Sequence, residues 1–105
     1  MDNAALLSLL EHFCRLPREE ATVEFKSNLN LADHIGEYLS AMANTAVLER
    51  HERAWLIWGV DDATHAVKGT TFNPFTSKGE GKQALIMWLT QKIKPRPDFQ
   101  FHELK

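Results

Sequence analysis

Two groups of carboxylates stand close to predicted strand ends: Glu19, Glu20 and Glu24 in EEATVEFKSN, and Asp61 and Asp62 in WLIWGVDDAT. Oxygen donors of this kind suit a hard divalent cation such as Mg²⁺, held by a few carboxylates with water filling the other positions. A cation so held can orient water and stabilise an in-line phosphoryl displacement. Spacing leaves a plainer alternative open, because glutamate is common on solvated strand faces and Asp-Asp is a common turn. If residues 22–26 form a strand, Val23 and Phe25 share one face, and Thr22, Glu24 and Lys26 share the other. What covers the Glu24 side decides between a solvated face and the floor of a site.

The cations offer a second chemistry. In SKGEGKQ, Gly79, Gly81 and Lys82 precede a predicted helix, whose first amides can receive an anion. One residue separates the glycines and Gln83 follows the lysine, so the stretch lacks the spacing of a nucleotide-hydrolysing phosphate loop. A phosphate contact through Lys78, Lys82 and backbone amides stays open. Lys92, Lys94 and Arg96 gather at the end of the same helix, where cations complement the helix dipole. Together with Lys78, Lys82 and Lys105 they could form a phosphate-binding rim.

The charge distribution fits a carboxylate cluster facing such a rim. Residues 1–62 hold 5 Lys/Arg against 11 Asp/Glu, while residues 63–105 hold 7 against 3. The net charge of −2 argues against a protein that coats phosphates generally. The five histidines show no metal-ligand spacing and read as surface or satisfied side chains. The single cysteine, Cys14, excludes an internal disulfide and a multi-cysteine metal site, and reads as a buried structural thiol. A reducing, cytoplasmic setting fits. Met1 opens a polar segment with no basic n-region, so no signal peptide is expected, and no apolar run approaches the roughly 20 residues of a membrane helix.

These side chains need elements to hold them. NAALLSLLEHFCRLP has Leu6, Leu9, Leu10 and Phe13 at helical spacing, Asp2 or Asn3 to cap it and Pro17 to end it. A strand over about residues 21–26 follows. NLADHIGEYLSAMANT predicts a second helix, capped by Asn30, with Leu31, Ile35, Tyr38, Leu39 and Met42 as its apolar stripe. The continuous run AWLIWGV reads as a strand buried on both faces, so Trp55 and Trp58 count as core. DDATHAVKGT predicts a turn and a return strand over 66–68, making a hairpin. KQALIMWLTQKI predicts a third helix burying Ala84, Leu85, Trp88, Leu89 and Ile93, and DFQFHELK predicts a last strand with Phe99 and Phe101 on one face. The chain's 105 residues suit a single modest core, and the irregular interleaving predicts a small α+β domain, not a doubly wound fold.

Four stretches in this order resemble the Schlafen-type AlbA domain. They are the glutamate-led E-x-x-x-x-E-F-K of residues 19–26, the S-A-x-A-N-T of residues 40–45, the G-V-D-D of residues 59–62 and the V-x-G of residues 67–69. The resemblance covers about residues 17–104. It departs at AVLERHERA, longer and without the Gly-Gly turn that many members carry after A-N-T.

The resemblance implies a small mixed sheet with about three helices packed on it, and nucleic-acid association. It also implies one AlbA-type domain over residues 1–105, expected to be the N-terminal part of a longer protein, as in bacterial members described as transcriptional regulators. In the animal Schlafen branch related domains are metal-dependent endoribonucleases. Carried over by position, Glu19, Glu24 and Asp62 would be the catalytic and metal-binding residues of such an activity, with Mg²⁺ or Mn²⁺, and Lys26 would stand beside them.

The leading expectation is a DNA- or RNA-binding module without a cofactor. Lys26, Lys78, Lys82, Lys92, Lys94 and Arg96 would contact nucleic acid, and no membrane would be involved. The alternatives are the endoribonuclease and a protein-interaction module that forms a homodimer through an open sheet edge.

Overall fold

The computed structural model describes residues 2–16, 22–79, 81, 83–93 and 98–104. Glu19, Lys82, Lys94 and Arg96, with Pro17, Glu20 and Lys105, lie outside these described residues. Helix α1 spans Asn3–Arg15. Its N-cap is Asp2, whose Oδ1 accepts the Ala5 N–H at 2.8 Å, and His12 and Arg15 occupy the last turn where cations are favoured. Leu6 and Phe13 are buried, about two helical turns apart on one face.

Strand β1 is Val23–Lys26, and strand β2 is Trp55–Trp58. They pair in parallel, Val23 opposite Trp55 and Lys26 opposite Trp58. Backbone bonds extend the ladder at both ends, from the Trp55 N–H to the Thr22 carbonyl and from the Gly59 N–H to the Lys26 carbonyl, each 2.7 Å. Helix α2, Ala32–Leu48, is the crossover that a parallel pair requires. Its cap differs from expectation: Leu31, not Asn30, is the N-cap, and no side chain caps the helix. The start is set instead by packing, because the first intrahelical bond runs from the N–H of fully buried Ile35 to the Leu31 carbonyl at 3.0 Å.

Each face of the sheet meets its own cluster. Val23, Phe25 and Val60 pack with Phe13 of α1, and Trp55, Ile57, Leu9 and Leu10 flank them. On the other face, Ile35 packs with Leu85, Trp88, Leu89 and Ile93, and Trp58, Phe72, Phe99 and Phe101 border that cluster. Helix α3, Leu85–Lys92, supplies most of this second cluster. Ala84, expected in the buried stripe, is exposed because it precedes the helix as its N-cap.

The expected α+β class holds, with three helices and a two-stranded parallel sheet. Three details change. β2 is covered on both faces, but all four of its residues are half-buried, since only β1 flanks it as a strand among the described residues. The predicted hairpin is reduced to one antiparallel bridge, Val60 to Val67, beside which the Lys68 and Gly69 N–H groups both close on the Gly59 carbonyl, at 2.7 and 3.0 Å. A Cβ on Gly59 would lie 2.9 Å from the Gly69 carbonyl carbon, and Gly59 has φ +86°. Residues 98–104 form no strand, although Phe99 and Phe101 do pack against one cluster with their rings 5.9 Å apart.

The departure at AVLERHERA has a structural form. α2 runs on through Ala46 to Leu48, then closes with the His51 N–H on the Ala46 carbonyl at 2.8 Å and the Arg50 N–H on the Val47 carbonyl at 3.2 Å. Arg50 takes the left-handed position of this closure, φ 58°, where glycine is favoured. Arg50→Gly is expected to stabilise the fold by about 1 kcal/mol. Gly79→Ala is expected to destabilise it by about 1–3 kcal/mol, since a Cβ there would clash with the Trp88 side chain. Urea midpoints of the two variants check both signs.

Candidate functional site

β1 sorts its side chains by parity. Val23 and Phe25 go to the α1 cluster, which sends Glu24 and Lys26 to the face shared with Leu56 and Trp58. That face lies under α2. Lys26 Nζ sits 3.2 Å from Glu24 Oε1 and 4.6 Å from the centroid of the Tyr38 ring. The side chains of Lys26 and Glu24 are 24% and 32% exposed, so the pair is neither sealed in nor free in bulk water. The Lys26 amine is held above the ordinary lysine pKa, by Tyr38 first and then Glu24, against the opposing effect of burial. The Glu24 side of the strand is therefore a partly covered polar seam between sheet and helix.

The Asp-Asp turn divides its two carboxylates. Asp61 Oδ1 accepts the N–H groups of Ala63 at 2.9 Å and Thr64 at 2.8 Å, closing the turn after β2. These bonds hold the Asp61 carboxyl below its ordinary pKa, the Thr64 N–H foremost. Asp62 is exposed in the same turn. His65 completes the loop at φ 60°, its ring edge-on to Phe25 with centroids 4.8 Å apart. Asp61 thus has a turn to hold, which leaves Asp62 as the freer carboxylate.

Of the implied metal set, Glu24 has one oxygen engaged by Lys26, Asp62 is exposed, and Glu19 lies outside the described residues. Among the described residues no three His, Cys, Asp or Glu side chains gather as metal ligands. Of the expected nucleic-acid contacts, Lys26 is at the seam, and Lys78 and Lys92 are exposed, one at the bridge to Ala84 and one in the last turn of α3. Lys82, Lys94 and Arg96 lie outside the described residues. Cys14 is half-buried beside the α1 cluster, and burial pushes its thiol pKa up, which suits a structural thiol. Trp58 stacks on Phe72 at 4.8 Å and donates its Nε1–H to the Leu29 carbonyl at 2.6 Å, so it serves packing as expected.

Tyr38 takes the half-buried place its stripe predicts and adds a neighbour that the pattern does not show. Its position in the α2 stripe made it core, and its ring is indeed half-buried. Its cationic neighbour was the unseen part. A tyrosine in an otherwise aliphatic stripe, opposite a strand carrying Glu-x-Lys, was the available signal.

A parallel strand pair with a helical crossover, layered between helices and carrying a lysine–glutamate seam, defines a small α+β domain with a polar sheet face. The sequence profile described as Schlafen, AlbA_2 matches residues 19–105, and the chain belongs to that family. The family is a nucleic-acid-related one. No curated protein and no solved structure matched in the other two comparisons. No helix among the described residues is long and apolar enough to cross a membrane.

The Asp61 turn makes a pH prediction. A carboxyl with a depressed folded pKa stabilises the fold above its unfolded pKa, and that stability is lost as pH falls through the folded value. Asp61→Ala should lower the melting temperature at neutral pH, and the difference from the unsubstituted protein should shrink as pH drops below the ordinary aspartate range.

Proposed function

We propose that this chain is a nucleic-acid-binding module, the DNA-binding domain of a transcriptional regulator and one domain of a longer protein. The observation that carries the reading is Lys26. A family member presents there an ammonium that is charged, partly exposed and held on the sheet face by two neighbours. Lysine–phosphate contacts release counterions from the nucleic acid, so such binding weakens steeply with salt. Lys78 and Lys92 are further exposed cations, and the sequence supplies Lys82, Lys94 and Arg96 as well.

Filter binding of a mixed-sequence DNA duplex across a salt series tests this. The expected result is binding at low salt that falls linearly on a log–log plot. Lys26→Ala should reduce the slope by about one, and Lys92→Ala should act similarly. Absence of binding at low salt, or binding indifferent to salt, overturns the reading.

A second reading is the metal-dependent endoribonuclease, favoured by Glu24 standing on the sheet face and not in bulk water. In that reading Glu24, with Glu19 and Asp62, would hold Mg²⁺ or Mn²⁺, and the metal would supply water activation for phosphodiester cleavage. Cleavage of structured RNA that requires either metal and disappears in Glu24→Gln, with an unchanged melting temperature, would select it over simple binding.

A further inference from the structure

We propose that Tyr38 is a positioning residue for nucleic-acid binding: its ring holds the Lys26 ammonium at the seam between β1 and α2, ready for a phosphate. This rests on the nucleic-acid reading and goes beyond it by assigning a role to a residue outside the family motifs quoted above.

The physical case begins with the cost of ordering. A lysine side chain carries four rotatable carbons and about 2 kcal/mol of rotamer entropy. A lysine that already occupies its bound position loses less of that entropy when the ligand arrives. Lys26 is restrained in this way from two directions. Glu24, two residues back on the same strand, accepts from Nζ at 3.2 Å, and the Tyr38 ring lies 4.6 Å from Nζ, within cation–π range. An ammonium has three donors and Glu24 takes one, so donors remain for a phosphate oxygen at the exposed side.

Tyr38 is itself half-buried. It lies between Ile35 and Met42 on α2, and both of these are buried. Ile35 also belongs to the cluster that packs α3 against α2. The ring therefore sits half-buried on the same stripe of α2, and the ammonium lies against it. The two restraints differ in what they do to the charge. Glu24 competes with a phosphate for the ammonium because it is an anion. The tyrosine face orients the cation without neutralising it, so it favours the position and leaves the attraction for phosphate intact.

The test is a series of binding measurements on the full chain. A mixed-sequence DNA duplex is the probe, with Tyr38→Phe, Tyr38→Leu, Lys26→Ala and the Tyr38→Leu/Lys26→Ala double variant. Tyr38→Leu should weaken binding about three- to fivefold, the range of an exposed cation–π contact. Tyr38→Phe, which keeps the ring, should bind within about twofold of the unsubstituted protein. In the Lys26→Ala background, Tyr38→Leu should have no further effect, which is the signature of one residue acting through the other.

Equal weakening by Tyr38→Leu with and without Lys26 would make Tyr38 merely structural and overturn the inference. Lys26→Ala binding unchanged while the duplex still binds would overturn it too. Failure of the duplex to bind the unsubstituted protein at all would instead overturn the parent reading.

Discussion

Two parallel strands cannot be joined by a tight turn, so pairing residues 23–26 with residues 55–58 forces the intervening chain to cross over the sheet. α2 makes that crossing, and its position follows from the pairing. With α2 on one face, the other face must be covered by something else, and α1 does it through Phe13. α3 then completes the layer beside α2 by packing Leu85, Trp88 and Leu89 around Ile35. The strand pair is short, yet each later packing choice refers back to it.

The same pairing creates the polar seam. A strand between two helical layers has no face that looks directly into solvent, so Glu24 and Lys26 must point toward α2. Left alone there, either charge would be costly to desolvate. They meet the cost by pairing with each other and by leaving part of each side chain exposed. Tyr38 adds a polarisable face beneath the ammonium. A charge pair in this half-covered setting contributes little net stability. Its effect is to fix where a cation stands, which matters more for recognition than for folding.

The neighbouring turn shows how adjacent carboxylates divide their roles. Asp61 spends one oxygen on two backbone amides and is held ionised by them, while Asp62 projects from the same turn. Backbone geometry makes this division. An aspartate opening a turn can reach the amides two and three residues ahead, whereas the next residue along points away from them.

The amino-acid pattern by itself determined the helices, because apolar residues at intervals of three and four have one consistent reading, as Leu6 and Phe13 or Leu85 and Leu89 show. It determined the facing of β1, because alternation admits only two arrangements and Val23 and Phe25 select one. The four short motifs also pointed to the family. Tertiary structure alone decided the rest. The return strand after Asp62 shrank to one bridge, with the Lys68 and Gly69 N–H groups both on the Gly59 carbonyl, a convergence with no local signature. The start of α2 moved to Leu31 because burial of Ile35 outweighed a cap at Asn30. Phe99 and Phe101 packed as expected without a strand, since alternation records which way side chains point and says nothing of whether a neighbouring backbone is there to bond. Tyr38 and Lys26, 12 positions apart in the chain, became partners only when the crossover laid α2 over β1. Local pattern encodes which face of an element is apolar; which two faces meet is settled by packing between segments distant in sequence.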